Sequence, residues 1–224
     1  IFWALVIMGV VMFLWVLLRM PETLPRDRRS PLNPPTIIGN YWKVLSTREA
    51  LGYTIASGLL FGGLMSYISA SEQLYHGVYD TGQMFPAWFA GAAVAMSVSN
   101  LVNSRFVERF GMRRMSHGAL IGLVVVSAIH AVLALQGPVP FWLFYTLVII
   151  AFFMMGFQGP NYNAIAMEPL GRLAGSGAAI IGFASSFVSA SIGGLIARQF
   201  DGTITPIIIG QIIVFTMALL VILI

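Results

Sequence analysis

Apolar residues gather into seven long runs, approximately Ile1–Leu18, Leu51–Ser71, Gln83–Asn103, Ser116–Gln136, Pro140–Gln158, Leu173–Ala197 and Thr203–Ile224. A helix that crosses a bilayer needs roughly 20 mainly apolar residues, so each run predicts one membrane span. The expected class is an all-α polytopic membrane protein, because a helix satisfies its own backbone hydrogen bonds where no water can. The connections between runs are short except the first, from Arg19 to Ala50. That one holds Pro21, Pro25, Pro31, Pro34 and Pro35 within fifteen residues, which predicts an extended linker. Tyr41-Trp42-Lys43, further along, mixes aromatic and basic groups as a short helix at the membrane surface would. Three segments result: a span over 1–18, a linker with an interfacial segment over 19–50, and a six-helix bundle over 51–224.

Composition sharpens this picture by exclusion. Of 224 residues, 58% are hydrophobic and 9% charged, with a mean hydropathy of +0.87. Soluble globular domains carry about 25% charged residues, so that class is excluded, as are disorder, collagen and coiled coil. The absence of cysteine excludes a disulfide, a thiolate nucleophile and a thiolate metal site. The chain opens at Ile1 and stops at Ile224, each inside an apolar run, and is expected to be a piece of a longer membrane protein. No basic stretch precedes the first run, which therefore does not read as a signal peptide.

Charge placement sets orientation. Eleven of the 12 Lys and Arg fall in the first, third and fifth connections, and the other side has only Arg198 beside Glu72, Asp80 and Asp201. Basic loops stay in the cytoplasm, so 19–50, 104–115 and 159–172 are expected there. The pI near 9.8 is thus a topology signal, and nucleic acid is not an expected partner. Small residues recur every fourth position at Ala87, Gly91, Ala95, Ser99 and Asn103, and again at Gly182, Ser186, Ala190 and Gly194. Such stripes predict close helix packing, or surfaces on which a moving bundle slides. The chain lacks a GxSxG elbow, an HExxH pair, a P-loop and a dinucleotide fingerprint, so no enzyme activity, cofactor or metal is expected.

Three stretches carry a family resemblance. Ser104-Arg105-Phe106-Val107-Glu108-Arg109-Phe110-Gly111-Met112-Arg113-Arg114 resembles the major facilitator loop G-x-L-x-D-R-x-G-R-K, with Ser104 for Gly, Glu108 for Asp and Met112 for a basic residue. Gly156-Phe157-Gln158-Gly159-Pro160-Asn161-Tyr162-Asn163-Ala164, followed by Glu168 to Ala178 with its AGxxxA pattern, is similar to the Bcr/CflA multidrug-efflux branch of that superfamily. Pro21-Glu22-Thr23-Leu24 is also similar to that branch. The resemblance implies that Ile1–Leu18 is the sixth of twelve helices and that the other six form the C-terminal half. It further implies alternating access in the inner or plasma membrane, with Leu51–Ser71 and Pro140–Gln158 lining the cavity.

Candidate residues follow. Glu108, Arg109, Gly111 and Arg113 would latch the cytoplasmic face, or else merely set topology as a basic loop. Pro160 and Gly159 are expected to end the fifth helix, with Gln158, Asn161 and Asn163 either capping the freed carbonyls or gating the mouth. Phe61, Met65, Tyr67, Phe153 and Phe157 suit a pocket for varied lipophilic molecules, since flexible and flat side chains re-pack readily. His130, well inside a span, is expected to be structural, with proton relay as the alternative. The resemblance implies a monomeric exporter of small lipophilic or cationic compounds in exchange for protons. The coupling carboxylate would lie in the missing N-terminal half. Transport of a single metabolite, or a non-transporting receptor or scaffold, are the alternatives.

Overall fold

The computed structural model describes residues 2–21 and 33–223. Seven of its helical stretches are long and apolar enough to cross a membrane, and the described residues contain no strand. The chain divides into two compact units, Ile1–Ile38 and Gly39–Ile224.

In the first unit, helix α1 (Phe2–Arg19) is apolar up to its terminal Arg19 and none of its side chains is buried. The expected extended linker falls on Glu22–Leu32, outside the described residues, as does most of the Pro21–Leu24 motif. Pro34 and Pro35 do not belong to it. They open helix α2 (Pro34–Ser46) instead, because the first helical N–H groups have no intrahelical partner and proline loses nothing there. Asn33 caps this helix, its Oδ1 accepting the Thr36 N–H at 3.0 Å.

The second unit contains the six further spans. They are α3 (Arg48–Glu72), α4 (Phe85–Phe110), α5 (Met112–Gln136), the pair α6 (Phe141–Met155) and α7 (Gln158–Met167), α8 (Ala174–Ala197) and α9 (Thr205–Leu223). A π-helical turn, Gln73–Val78, extends α3. Helix α3 is the most enclosed span, packed along α8, α9 and α7, whereas α4 and α8 stay largely open. Glycine makes that enclosure possible. A β-carbon on Gly58 would lie 2.8 Å from the Val188 side chain, one on Gly62 would lie 3.0 Å from Ile192, and one on Gly63 would enter the Phe215 ring. The β-branched side chains of α8 therefore sit directly on the α3 backbone.

Of the two expectations for the α8 stripe, close packing does not hold among the described residues. Ser186 and Ala190 are exposed, and a β-carbon added at Gly182 or Gly194 would meet nothing within 4 Å. The face that α8 turns to α3 is a mixed one: Val188 and Ile192 sit on the glycines of α3, while Gly193 receives Met65. The α4 stripe packs from Gly91 onward, while Ala87 is exposed. Gly91 lies under the Tyr145 hydroxyl, which donates to the Trp88 carbonyl at 3.2 Å, and Ser99 and Asn103 are buried.

Two connections differ from expectation. The loop foreseen over 104–115 contracts to Gly111, whose φ of +84° and ψ of 146° turn the chain between α4 and α5. Only glycine takes that conformation without strain, and it allows both helices to run to within one residue of each other. The stretch 159–172 is likewise not all loop. Helix α6 ends at Met155, but α7 starts at Gln158 and continues for ten residues, with a 3-10 turn at Glu168–Leu173 after it. Pro160 breaks the ladder one turn upstream, since its missing N–H and its ring both act on the carbonyl four residues back, at Gly156. It then lies in the first turn of the restarted helix, where proline is tolerated.

Gly156 lets α4 pack against this break. A β-carbon there would fall 2.7 Å from the Met96 carbonyl oxygen and 2.7 Å from Ser99. Backbone cannot give way as a flexible side chain can, and overpacking typically costs about 1–3 kcal/mol. Gly156→Ala should therefore lower the melting temperature of the whole protein by several degrees. Gly118→Ala, where the added carbon meets nothing within 4 Å, should leave it within a degree. Comparing the two by thermal denaturation in detergent checks this.

Candidate functional site

Polar side chains collect at the Gly111 end of the bundle. Glu49, in the first turn of α3, forms an ion pair with Arg113 at the start of α5. One turn further in, the Tyr53 hydroxyl meets His117 Nε2 at 2.8 Å, and the Tyr53 ring packs edge-on against Tyr162 of α7 at 5.2 Å. Asn103 of α4 and Asn161 of α7 exchange reciprocal amide hydrogen bonds of 3.3 and 2.8 Å. Asn161 Nδ2 also donates to the carbonyl of Phe157, the residue that precedes α7, at 2.8 Å. Four helices are thus tied at one level through α3–α5, α3–α7 and α4–α7 contacts.

A narrow crevice opens beside this tier. Ser57, Leu60 and Phe61 of α3, Met96 of α4, Met155 of α6 and Gln158, Gly159 and Tyr162 around the break line it, with a free volume of about 10 Å³. Gln158 is 2% exposed and Tyr162 fully buried. Both carboxamide atoms of Gln158 and the Tyr162 hydroxyl lack a hydrogen-bond partner.

Deeper in the bundle, a second cavity of about 20 Å³ is bordered by Tyr67, Ser127, His130, Phe152 and Gln211. Tyr67 stacks on Phe89 and bonds the Tyr75 hydroxyl at 2.9 Å, while Gln211 Nε2 donates to the Gly63 carbonyl at 3.2 Å. His130 is 5% exposed and edge-on to Phe144, with Nε2 unpartnered. That volume suffices for about one water. A larger hollow of about 510 Å³ lies at the opposite end, between Tyr79, the Gly137–Pro140 turn and Gly202–Thr205.

The expected site residues distribute unevenly over these features. Phe61 and Gln158 come together in the crevice, and Tyr67 lies at the deeper cavity. Met65 packs on Gly193 of α8. Phe153 and Phe157 form an edge-to-face pair 5.5 Å apart and border neither cavity. Arg113 finds its acid in Glu49, whereas Glu108 and Arg109 are exposed and Arg109 lies 5.5 Å above the Phe110 ring. Pro160 is exposed at the break and Asn163 on the outer side of α7. Glu49, Tyr53, His117 and Gln211 enter only with the structure. They bond to residues 64 or more positions away, and no single-sequence signal marks such a pairing.

The chain matches the family model described as Major Facilitator Superfamily over residues 1–194. It belongs to that superfamily. This facilitator chain is 29% identical, over 93% of its length and 52% of the relative's, to a protein of Haemophilus influenzae named bicyclomycin resistance protein homolog. It is 28% identical, over 81% of its length and 45% of the relative's, to an uncharacterized MFS-type transporter, YdgK, of Bacillus subtilis. The facilitator chain therefore spans about half the length of these curated relatives. No solved structure matches it significantly.

The Asn103–Asn161 pair makes the α4–α7 contact of the facilitator measurable. Removing one amide leaves the other buried and unmet, so Asn103→Ala and Asn161→Ala should each destabilise. The double variant should cost less than their sum, with a coupling of about 0.6–1.7 kcal/mol as found for interhelical bonds in membranes. Reversible unfolding of the four proteins in detergent gives the cycle.

Proposed function

We propose that the whole protein is a secondary transporter of the inner or plasma membrane that exports small lipophilic or cationic compounds in exchange for protons. The observation that carries this reading is the alignment with the resistance protein homolog along 93% of the chain. The lining supports the lipophilic part of this reading: Phe61, Met96 and Met155 offer adaptable apolar surface rather than a fixed ion pair. Among the described residues the acids Glu49, Glu72, Asp80, Glu108, Glu168 and Asp201 all lie at or beyond the ends of α-helices. A carboxylate that couples proton movement to transport would then belong to the other half of the protein.

The Gly111 end is cytoplasmic in this reading, as the positive-inside rule requires. Impermeant thiol reagent applied outside intact cells should label a cysteine at Gly77 and spare one at Arg114. The reverse pattern would overturn the topology. Both positions are exposed, and Arg114 avoids the strained backbone of Gly111.

The Glu49–Arg113 pair acts as the latch between α3 and α5. Its side chains are 34% and 59% exposed, so it adds no more than about 1 kcal/mol to stability. A bias of that size still shifts a two-state equilibrium severalfold. Cells carrying the whole protein should retain less ethidium than cells without it, and a protonophore should abolish the difference. Glu49→Arg or Arg113→Glu should slow that efflux two- to fivefold, with the double exchange restoring it. Efflux confined to one anionic metabolite, with none of ethidium, would replace this reading with single-substrate transport.

A further inference from the structure

We propose that Gln158 and Tyr162 form the hydrogen-bonding end of a ligand subsite for neutral, amide-bearing molecules. The proposal deepens the transport reading and rests on it. Buried polar groups are nearly always partnered, so a side chain orphaned at both of its polar atoms needs an explanation. Gln158 is 2% exposed, and neither its Oε1 nor its Nε2 has a partner. Tyr162, one helical turn along the same face of α7, is fully buried with its hydroxyl equally unmet. Three vacant hydrogen-bonding positions thus border one crevice. The neighbouring Asn161 is engaged, and of the buried side chains with unmet polar atoms Gln158 is the one with two unmet atoms, a donor and an acceptor, among the described residues.

The chemistry of the vacancy selects its occupant. A carboxamide presents an acceptor and donors side by side, and its complement is a second amide. The ligand N–H would donate to Gln158 Oε1, and its carbonyl would accept from Gln158 Nε2 and from the Tyr162 hydroxyl. No Asp, Glu, Lys or Arg lines the crevice, and Glu49 nearby is engaged by Arg113. A cation or an anion entering would therefore be left without a counter-charge. Leu60, Phe61 and Met96 on the other walls receive apolar surface. The free volume of about 10 Å³ admits no more than one water. Ser57, Phe61, Met96 and Gly159 at the rim are only half-buried. A β-carbon on Gly159 would meet the Phe61 ring at 3.8 Å, so glycine leaves the gap through which an amide edge enters when that ring turns.

The test compares benzanilide with phenyl benzoate, of similar shape but with oxygen in place of the N–H, as ligands of the purified whole protein in detergent by calorimetric titration. The parent should bind benzanilide about tenfold more tightly, the discrimination expected of one hydrogen bond in a dry site. Gln158→Leu should bring the two affinities to near equality. Tyr162→Phe, which removes a partner of the carbonyl both ligands share, should weaken both and leave their ratio intact. Near-equal affinities in the parent, or an unchanged ratio in a Gln158→Leu protein that melts like the parent, would overturn the proposal and leave water as the partner of Gln158. Should Gln158→Leu fail to fold, Gln158→Met supplies the same comparison with a better match of shape. Ethidium efflux by the parent is measured in parallel. Its absence alongside an intact benzanilide preference would remove the transport reading and spare the subsite.

Discussion

Lipid tails solvate a leucine as well as another leucine does, so no hydrophobic drive pulls α3 into the centre of its bundle. Close approach and the dispersion contacts it allows must hold the helix there. Gly58, Gly62 and Gly63 provide the approach, since a β-carbon at any of them would collide with Val188, Ile192 or Phe215. With α3 enclosed by α8, α9 and α7, helix α5 packs on α9, α6 and α7, and α4 packs on α6. A bulky residue at these three positions would push two neighbouring helices outward at once.

The same solvent makes every unmet polar group expensive, and the break between α6 and α7 shows how that cost is distributed. Pro160 interrupts the ladder at Gly156. Asn161 bonds the Phe157 carbonyl and pairs with Asn103, so one amide both braces the start of α7 and joins two helices. Gly156, where the ladder opens, also receives Met96 and Ser99 of α4. The break is therefore a packing joint as much as a defect. Gln158, the first residue of the restarted helix, carries polar capacity that these bonds leave unused.

Charge and polarity occupy separate levels of the molecule. Ion-pairing groups such as Glu49 and Arg113 stay at a helix end, half in solvent. Neutral hydrogen-bonding groups, including Tyr53, His117, Gln158, Tyr67 and Gln211, occupy the interior in their place. In the proposed transport reading, exposed charges at a helix end bias which end of the whole protein is open, with no buried ion pair among the described residues of this chain.

Much of this was legible without coordinates. Seven apolar runs and one-sided arginines define the spans and their expected orientation, because length and charge act on lipid directly and need no partner. The loop around Gly111 and the stretch Gly156–Ala164 carry the family, and the turn at Gly111 follows from its residue type. Pairings did not follow. The sequence shows a small-residue stripe on α8 but not that α8 turns Val188, Ile192 and Gly193, rather than that stripe, to α3. It shows Pro160 as a helix stop but not that the helix resumes. It places Arg113 and Glu49 64 positions apart with nothing to join them. Periodicity reports which residues share a face of one helix, whereas only packed neighbours determine which face is covered. An orphaned amide such as Gln158 is defined by partners that the tertiary structure withholds.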